Sequence, residues 1–147
     1  MAYANASDLQ QRMGTVVLVQ LTDDTGSGEI DQTKVAEALE GAQGEVDSYV
    51  AHRCGVPVDV SGEPSLAAVL KSITLDLAAH RLHTRRPPVP DDIRRKRAAA
   101  VQWLERVAAG KVVLPSSTAP AGNPATGSYA EAASNPRVLT RETMKGL

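Results

Sequence analysis

Three stretches of this chain place apolar residues at helical spacing, and proline, glycine or a capping residue marks off each one. Residues 31 to 53, "DQTKVAEALEGAQGEVDSYVAHR", carry Val35, Leu39, Ala42, Val46, Tyr49 and Val50. That recurrence every three to four residues puts them on one helix face, and Asp31 is placed to cap the start. Residues 65 to 86, "SLAAVLKSITLDLAAHRLHTRR", carry Leu66, Val69, Leu70, Ile73, Leu77 and Leu82, helped by Ala78. "PPVP" then stops the helix, because proline cannot continue the hydrogen-bond ladder. Residues 91 to 109, "DDIRRKRAAAVQWLERVAA", bring Ile93, Ala100, Val101, Leu104 and Val107 inward. Asp91 and Asp92 suit the positive end of the helix dipole, and Gly110 ends it. In a chain of 147 residues, three such helices predict one all-α domain, a small helical bundle.

The rest of the body is shorter. "SDLQQRMG" reads as a short helix capped by Ser7 and ended by Gly14. "TVVLVQL" has the β-branched residues of a strand. No second strand is on offer to pair with it, so a short helix or helical turn is expected. "TDDTGSGE" and "CGVPVDVSGEP" read as loops. Gly41 and Gly44 fall inside the first long helix, where each costs up to about 1 kcal/mol against alanine. The pair predicts that another helix comes close there.

The core has to be aliphatic. Apolar residues make up 42% of the chain, but aromatics only 3%, with no Phe. Such a core suits close helix packing better than a ligand pocket with aromatic walls. Cys54 is the single cysteine, so no intrachain disulfide forms and a reducing compartment fits. The opening "MAYANASDLQQRM" lacks a basic and apolar leader pattern, and "VVLVQL" is far too short to span a bilayer. A soluble product made in the cytoplasm, with no membrane partner, is expected.

After residue 114 the composition breaks. Pro, Gly, Ser, Thr and Ala dominate to Asn135, and the chain then finishes on "PRVLTRETMKGL". Ordering a residue costs about 1–2 kcal/mol, so this stretch does not order itself. Twenty such residues span about 25 Å as a coil and about 65–70 Å when stretched. Residues 1–114 are therefore read as the helical domain and 115–147 as an extended C-terminal docking arm. Val138, Leu139, Met144 and Leu147 supply apolar anchors at its end, Arg137, Arg141 and Lys145 supply charge, and Thr140 is placed to cap a turn formed on binding.

Charge is uneven, although the net is only −1. From Lys71 to Arg97 there are eight basic and three acidic residues, a balance of +5. From Asp31 to Arg53 there are two basic and five acidic, a balance of −3. An acidic and a basic flank on one small body suit head-to-tail association. The densest basic feature is "RRPPVPDDIRRKR", with Arg85, Arg86, Arg94, Arg95, Lys96 and Arg97 about a turn between two helices. Two uses fit it: a salt-bridging subunit contact, and sequence-blind contact with duplex phosphates. With no interleaved aromatics, it does not suit single-strand stacking.

Catalytic patterns are weak. Asp76, His80 and His83 share one helix face, so a metal is geometrically possible, but zinc wants a further ligand and no H-E-x-x-H is present. Pairing with nearby charges is the plainer reading, and no metal or cofactor is expected. His52 and Cys54 are neighbours at a helix end, without further support as a nucleophile pair. No G-x-S-x-G elbow occurs, and "TGSGE" is not a phosphate loop, since no G-K-[ST] follows. The expectation is a protein that is not an enzyme.

Five stretches in this order resemble the head–tail connector (adaptor) proteins of Mu-like tailed phages. They are "DLQQRMG…LVQLTDD", "ALEGAQGEVDSYVAHRCGVPV", "LKSITLDLAAHRLHTRR", "RRKRAAAVQWLERVAAGKVVL" and "RVLTRETMKGL". The resemblance implies a small helical bundle forming a ring, a dodecamer, beneath the portal at the virion neck. The ring would extend the channel for packaged double-stranded DNA and offer a platform to the next neck or tail-completion protein. The arm would embrace a neighbouring subunit or insert into the portal. The alternative is a small DNA-binding regulator using the basic turn 85–97.

Overall fold

Residues 2–51, 53–112 and 114 are described in the structure, a computed structural model. Among them are five α-helices and no strand: α1 (Ala6–Met13), α2 (Thr15–Thr22), α3 (Gln32–Val50), α4 (Pro64–Thr84) and α5 (Asp91–Ala108). The fold is the expected all-α bundle, with three main helices and two short ones before them. The arm 115–147 lies outside the described residues.

Helix α4 is the axis. Leu66, Leu70, Ile73, Leu77, Ala78 and Leu82 are buried, and so are Thr74, Leu75 and Ala79. At 100° per residue that buried arc covers more than half the helix, as it must in a helix contacted on several sides. All four other helices pack on it, and α3 and α5 also pack on each other. Each fully buried leucine, such as Leu70, Leu77 or Leu104, contributes about 1.5–3 kcal/mol of transfer free energy. Thr74 is tolerated inside because its hydroxyl donates to the Leu70 carbonyl at 2.8 Å.

Val69 is a correction. It is 40% exposed, because it falls on the open stripe of α4 that also carries Asp76, His80 and His83. On α5, Ala100, Leu104 and Val107 are buried as expected, while Ile93 and Val101 are only partly covered. Tyr49 on α3 is likewise half-buried. Helix α3 stops with its last apolar residue, Val50, short of the expected end at 53, and α4 starts on Pro64, a residue suited to a first turn.

Asn5, not Ser7, caps α1. Its side chain accepts from the Asp8 amide at 2.8 Å, and the Asp8 carboxylate accepts from the Asn5 amide at 3.1 Å. This capping box satisfies two otherwise orphaned donors at once. Gly14 closes the helix with φ of 83°, which a side chain would resist. The next segment is helical despite its β-branched residues. Leu18, Leu21 and Thr22 are buried, and the Thr22 hydroxyl donates to the Leu18 carbonyl at 2.7 Å. Tertiary packing overrides the local strand preference.

The N-terminal segment is tied to α3 and the loop that follows it. The Tyr3 hydroxyl donates to Asp47 Oδ1 at 2.6 Å and accepts from the Val58 amide at 2.8 Å. It thereby joins α3 to the loop between α3 and α4. Burial, reinforced by the bond to Asp47, pushes the Tyr3 phenol well above its ordinary range.

Candidate functional site

The basic turn divides into separate sets of contacts. Arg85 and Arg86, at the end of α4, reach back to the α2–α3 loop. Arg85 Nη1 donates to the Leu21 carbonyl at 2.8 Å and Nη2 to Asp24 Oδ2 at 2.7 Å. Arg86 Nη2 donates to the Asp23 carbonyl at 2.6 Å and to Asp24 Oδ1 at 3.0 Å. Lys34 of α3 joins the same carboxylate and also donates to the Thr22 carbonyl at 3.0 Å. Asp24 thus faces three cations, with Lys34 the strongest influence, and its carboxyl is held far below the usual carboxylate range. These contacts fasten α4, the loop and α3 together, and they occupy Arg85 and Arg86 within the chain.

Asp23 does a different job next door. Its Oδ1 accepts from the amides of Thr25, Gly26 and Ser27 at 3.0, 2.7 and 3.1 Å, and its Oδ2 from Gly28 at 2.7 Å. Gly26 and Gly28 both have φ of 75°, the left-handed geometry that turns those amides inward. The bond from Gly28 leads in lowering the carboxyl, to about 2. The sequence alone marked this stretch only as a loop. The available signal was an aspartate opening a Gly-x-Gly run, the composition of a side-chain-organised turn.

Arg97 belongs to a second set. Its Nη2 lies 3.3 Å from Glu45 Oε1 on α3, while Arg81 Nη2 of α4 lies 3.0 Å from Glu45 Oε2. Glu45 therefore joins all three long helices. Gly41 is where its neighbour comes close, as the sequence predicted, but the approaching group is a side chain. A Cβ there would sit 2.9 Å from Arg81 Nη1. Gly44, one turn on, faces open space with nothing within 4 Å of such an atom. His80 stands near this cluster; burial, followed by the charge of Arg97, lowers its imidazole.

Arg94, Arg95 and Lys96 stay on the exposed side of α5. Arg94 pairs with Asp91 within its own helix, and Lys96 lies 3.6 Å from Asp92. Among the described residues, Arg95 donates only to the Asp91 carbonyl, at 3.3 Å. Exposed pairs of this kind hold a charge loosely, at about 0–1 kcal/mol each, so these three cations remain available to an outside partner.

The other candidates resolve quickly. Asp76 pairs with Arg12 of α1, and among the described residues no group of three or more His, Cys, Asp or Glu is arranged to hold a metal. Cys54 is buried, and His52 lies outside the described residues. So do the docking residues Arg137, Val138, Leu139, Thr140, Arg141, Met144 and Leu147. Among the described residues, no helix is long and apolar enough to cross a membrane.

Among the described residues the chain is a small all-helical body whose surface charges are grouped by helix. Comparison with known proteins gives the family. The model described as "Bacteriophage Mu, Gp36" matches residues 3–132, and the chain belongs to that family. It is 31% identical over 112 residues to the Mu-like prophage FluMu protein gp36 of Haemophilus influenzae, covering 76% of this chain and 74% of that protein.

Proposed function

We propose that this protein is a structural virion component, a head–tail connector that forms a ring, a dodecamer, below the portal and joins head to tail. The observation carrying this reading is the family match. It runs from residue 3 to residue 132, through the whole described body and into the arm. The match thus covers the body and the first part of the arm, ends before the docking residues 137–147, and belongs to a family named for a phage protein. The all-α body with an aliphatic core supports a packing element rather than a catalyst, and we read the protein as not an enzyme.

In this reading the mechanism is assembly. Weak contacts between neighbours multiply around a closed ring, and an arm ending in Val138, Leu139, Met144 and Leu147 adds avidity by holding a neighbouring subunit or the portal. The next neck protein sits on the ring, and packaged DNA passes through it. The alternative, a DNA-binding regulator using residues 85–97, is left with Arg94, Arg95 and Lys96, whose pairings are exposed and local to α5. Arg85, Arg86 and Arg97 are engaged inside the chain.

The experiment is to disrupt the gene in a phage that encodes this chain and image the lysate by electron microscopy. DNA-filled heads and separate tails are expected, with joining restored by the wild-type gene. Joined, infectious particles without the protein would overturn the reading.

A further inference from the structure

We propose that the outer face of α3 is a docking surface for the exposed face of α5 of a second copy of this chain, with Glu37 and Glu40 meeting Arg94 and Arg95. The inference rests on the ring reading and names its subunit contact.

Helix α3 uses its other charges inward or locally: Lys34 on Asp24 and Asp31, Glu45 on Arg81 and Arg97, Asp47 on Tyr3. Glu37 and Glu40 are exposed, and no cation among the described residues pairs with them. Around them the face is low, with Ala36, Gly44 and Ser48 also exposed. Among the described residues nothing offsets the cost of Gly44 to the helix, and its Cβ position is empty.

Helix α5 offers the complement. Arg94 and Arg95 stand beside Ala98 and Ala99, all four exposed, so two cations rise next to a flat stretch. Opposite charges on low surfaces let two helices approach and still pair their long side chains.

The levels also agree. Arg97 meets Glu45 at 3.3 Å, and Arg53 Nε donates to the Ala108 carbonyl at 3.1 Å, so α3 and α5 run in the same direction. From the Arg97–Glu45 bridge, Glu40 and Glu37 lie about 7.5 and 12 Å, and Arg95 and Arg94 about 3 and 4.5 Å, toward the N-terminal ends, an offset of about 4.5–7.5 Å or roughly one turn, which long side chains span. Rotation about a ring axis roughly along these helices keeps such levels, so α3 of one copy meets α5 of the next within about one turn. The contact is heterologous, as a closed ring requires.

The test is sedimentation of the full-length protein at low and high salt, with two double variants and their mixture. Wild type should associate, less so at high salt. Glu37→Lys/Glu40→Lys and Arg94→Glu/Arg95→Glu should each associate at least tenfold more weakly, with circular dichroism showing the fold retained. Mixed one to one, they should associate again. The first keeps its arginines and the second its glutamates, and the altered faces pair with reversed sign. The milder Glu37→Gln/Glu40→Gln variant should fall between.

Variants that associate like wild type would overturn this contact and leave the ring reading standing. Failure of the mixture to recover, or a wild type that stays monomeric at every salt, would overturn the contact too; the gene-disruption result judges the connector role separately. Loss of binding to random-sequence duplex DNA in the arginine variant, with association unchanged, would assign Arg94 and Arg95 to DNA instead.

Discussion

Replacing Tyr3 by Phe removes one oxygen and nothing else. The ring still fills its place, so no cavity cost arises. What changes is the link between the N-terminal segment, α3 and the α3–α4 loop. The Val58 amide loses its acceptor at 2.8 Å, and Val58 is only 2% exposed, so water does not replace it. An unsatisfied buried donor costs about 1–3 kcal/mol. Asp47 is partly open and turns to water, so it adds little. We expect a loss of about 2 kcal/mol, measured by urea unfolding. At about 4 °C per kcal/mol for a body of this size, Tm falls by about 8 °C. Hydrogen exchange at the Val58 amide should quicken in the same variant. Asp47→Asn, which keeps an acceptor for the hydroxyl, should cost less. A Tyr3→Phe protein within about 0.5 kcal/mol of wild type, with Val58 exchange unchanged, would refute the idea that this hydroxyl ties the segment down.

The two glycines of α3 should separate. Gly44→Ala meets nothing and should stabilise the protomer by up to about 1 kcal/mol, whereas Gly41→Ala displaces the Arg81 guanidinium and should not. Equal gains in urea midpoint would contradict this. Stability should also fall in acid in two stages. His80 and His83 are lowered from 6.5, chiefly by burial, so below about that pH the unfolded chain takes up protons that the folded one resists. Asp8, Asp23, Asp24, Asp31 and Asp59 are all lowered from 3.8. Their contribution is complete above about pH 4 and lost as pH falls through the folded values, Asp23 near 2. A urea midpoint flat from pH 7 to 3 would contradict both stages. Deleting residues 136–147 should leave the melting of the body unchanged while abolishing docking; unfolding of the truncated chain would refute that separation of roles.

The long helices were legible because their signals are local. Apolar period, an Asp31 cap, proline stops and a closing Gly110 all lie within a turn or two of what they control. Ser7 and Asn5, two residues apart, are both good caps for α1, and only the reciprocal bond with Asp8 decides between them. The apolar period places Val69 inward because it cannot say how wide the covered arc is. That width depends on where neighbouring helices stop.

The basic turn shows the harder limit. Arg85, Arg86 and Arg94 look alike in sequence. The first two meet Asp24, more than sixty positions earlier, and Arg97 meets Glu45 across 52. Nothing in the spacing of residues 85–97 encodes those partners. The sequence likewise predicted close approach at both Gly41 and Gly44, and only the fold shows one filled from within and the other facing out.

The most direct measurement is a cryo-electron microscopy map of the neck of the assembled particle. The connector account predicts a closed ring of this chain between portal and tail, with residues 136–147 buried against a neighbouring subunit or the portal. A neck map complete without this chain, or the chain present singly with its arm folded on its own body, would contradict it.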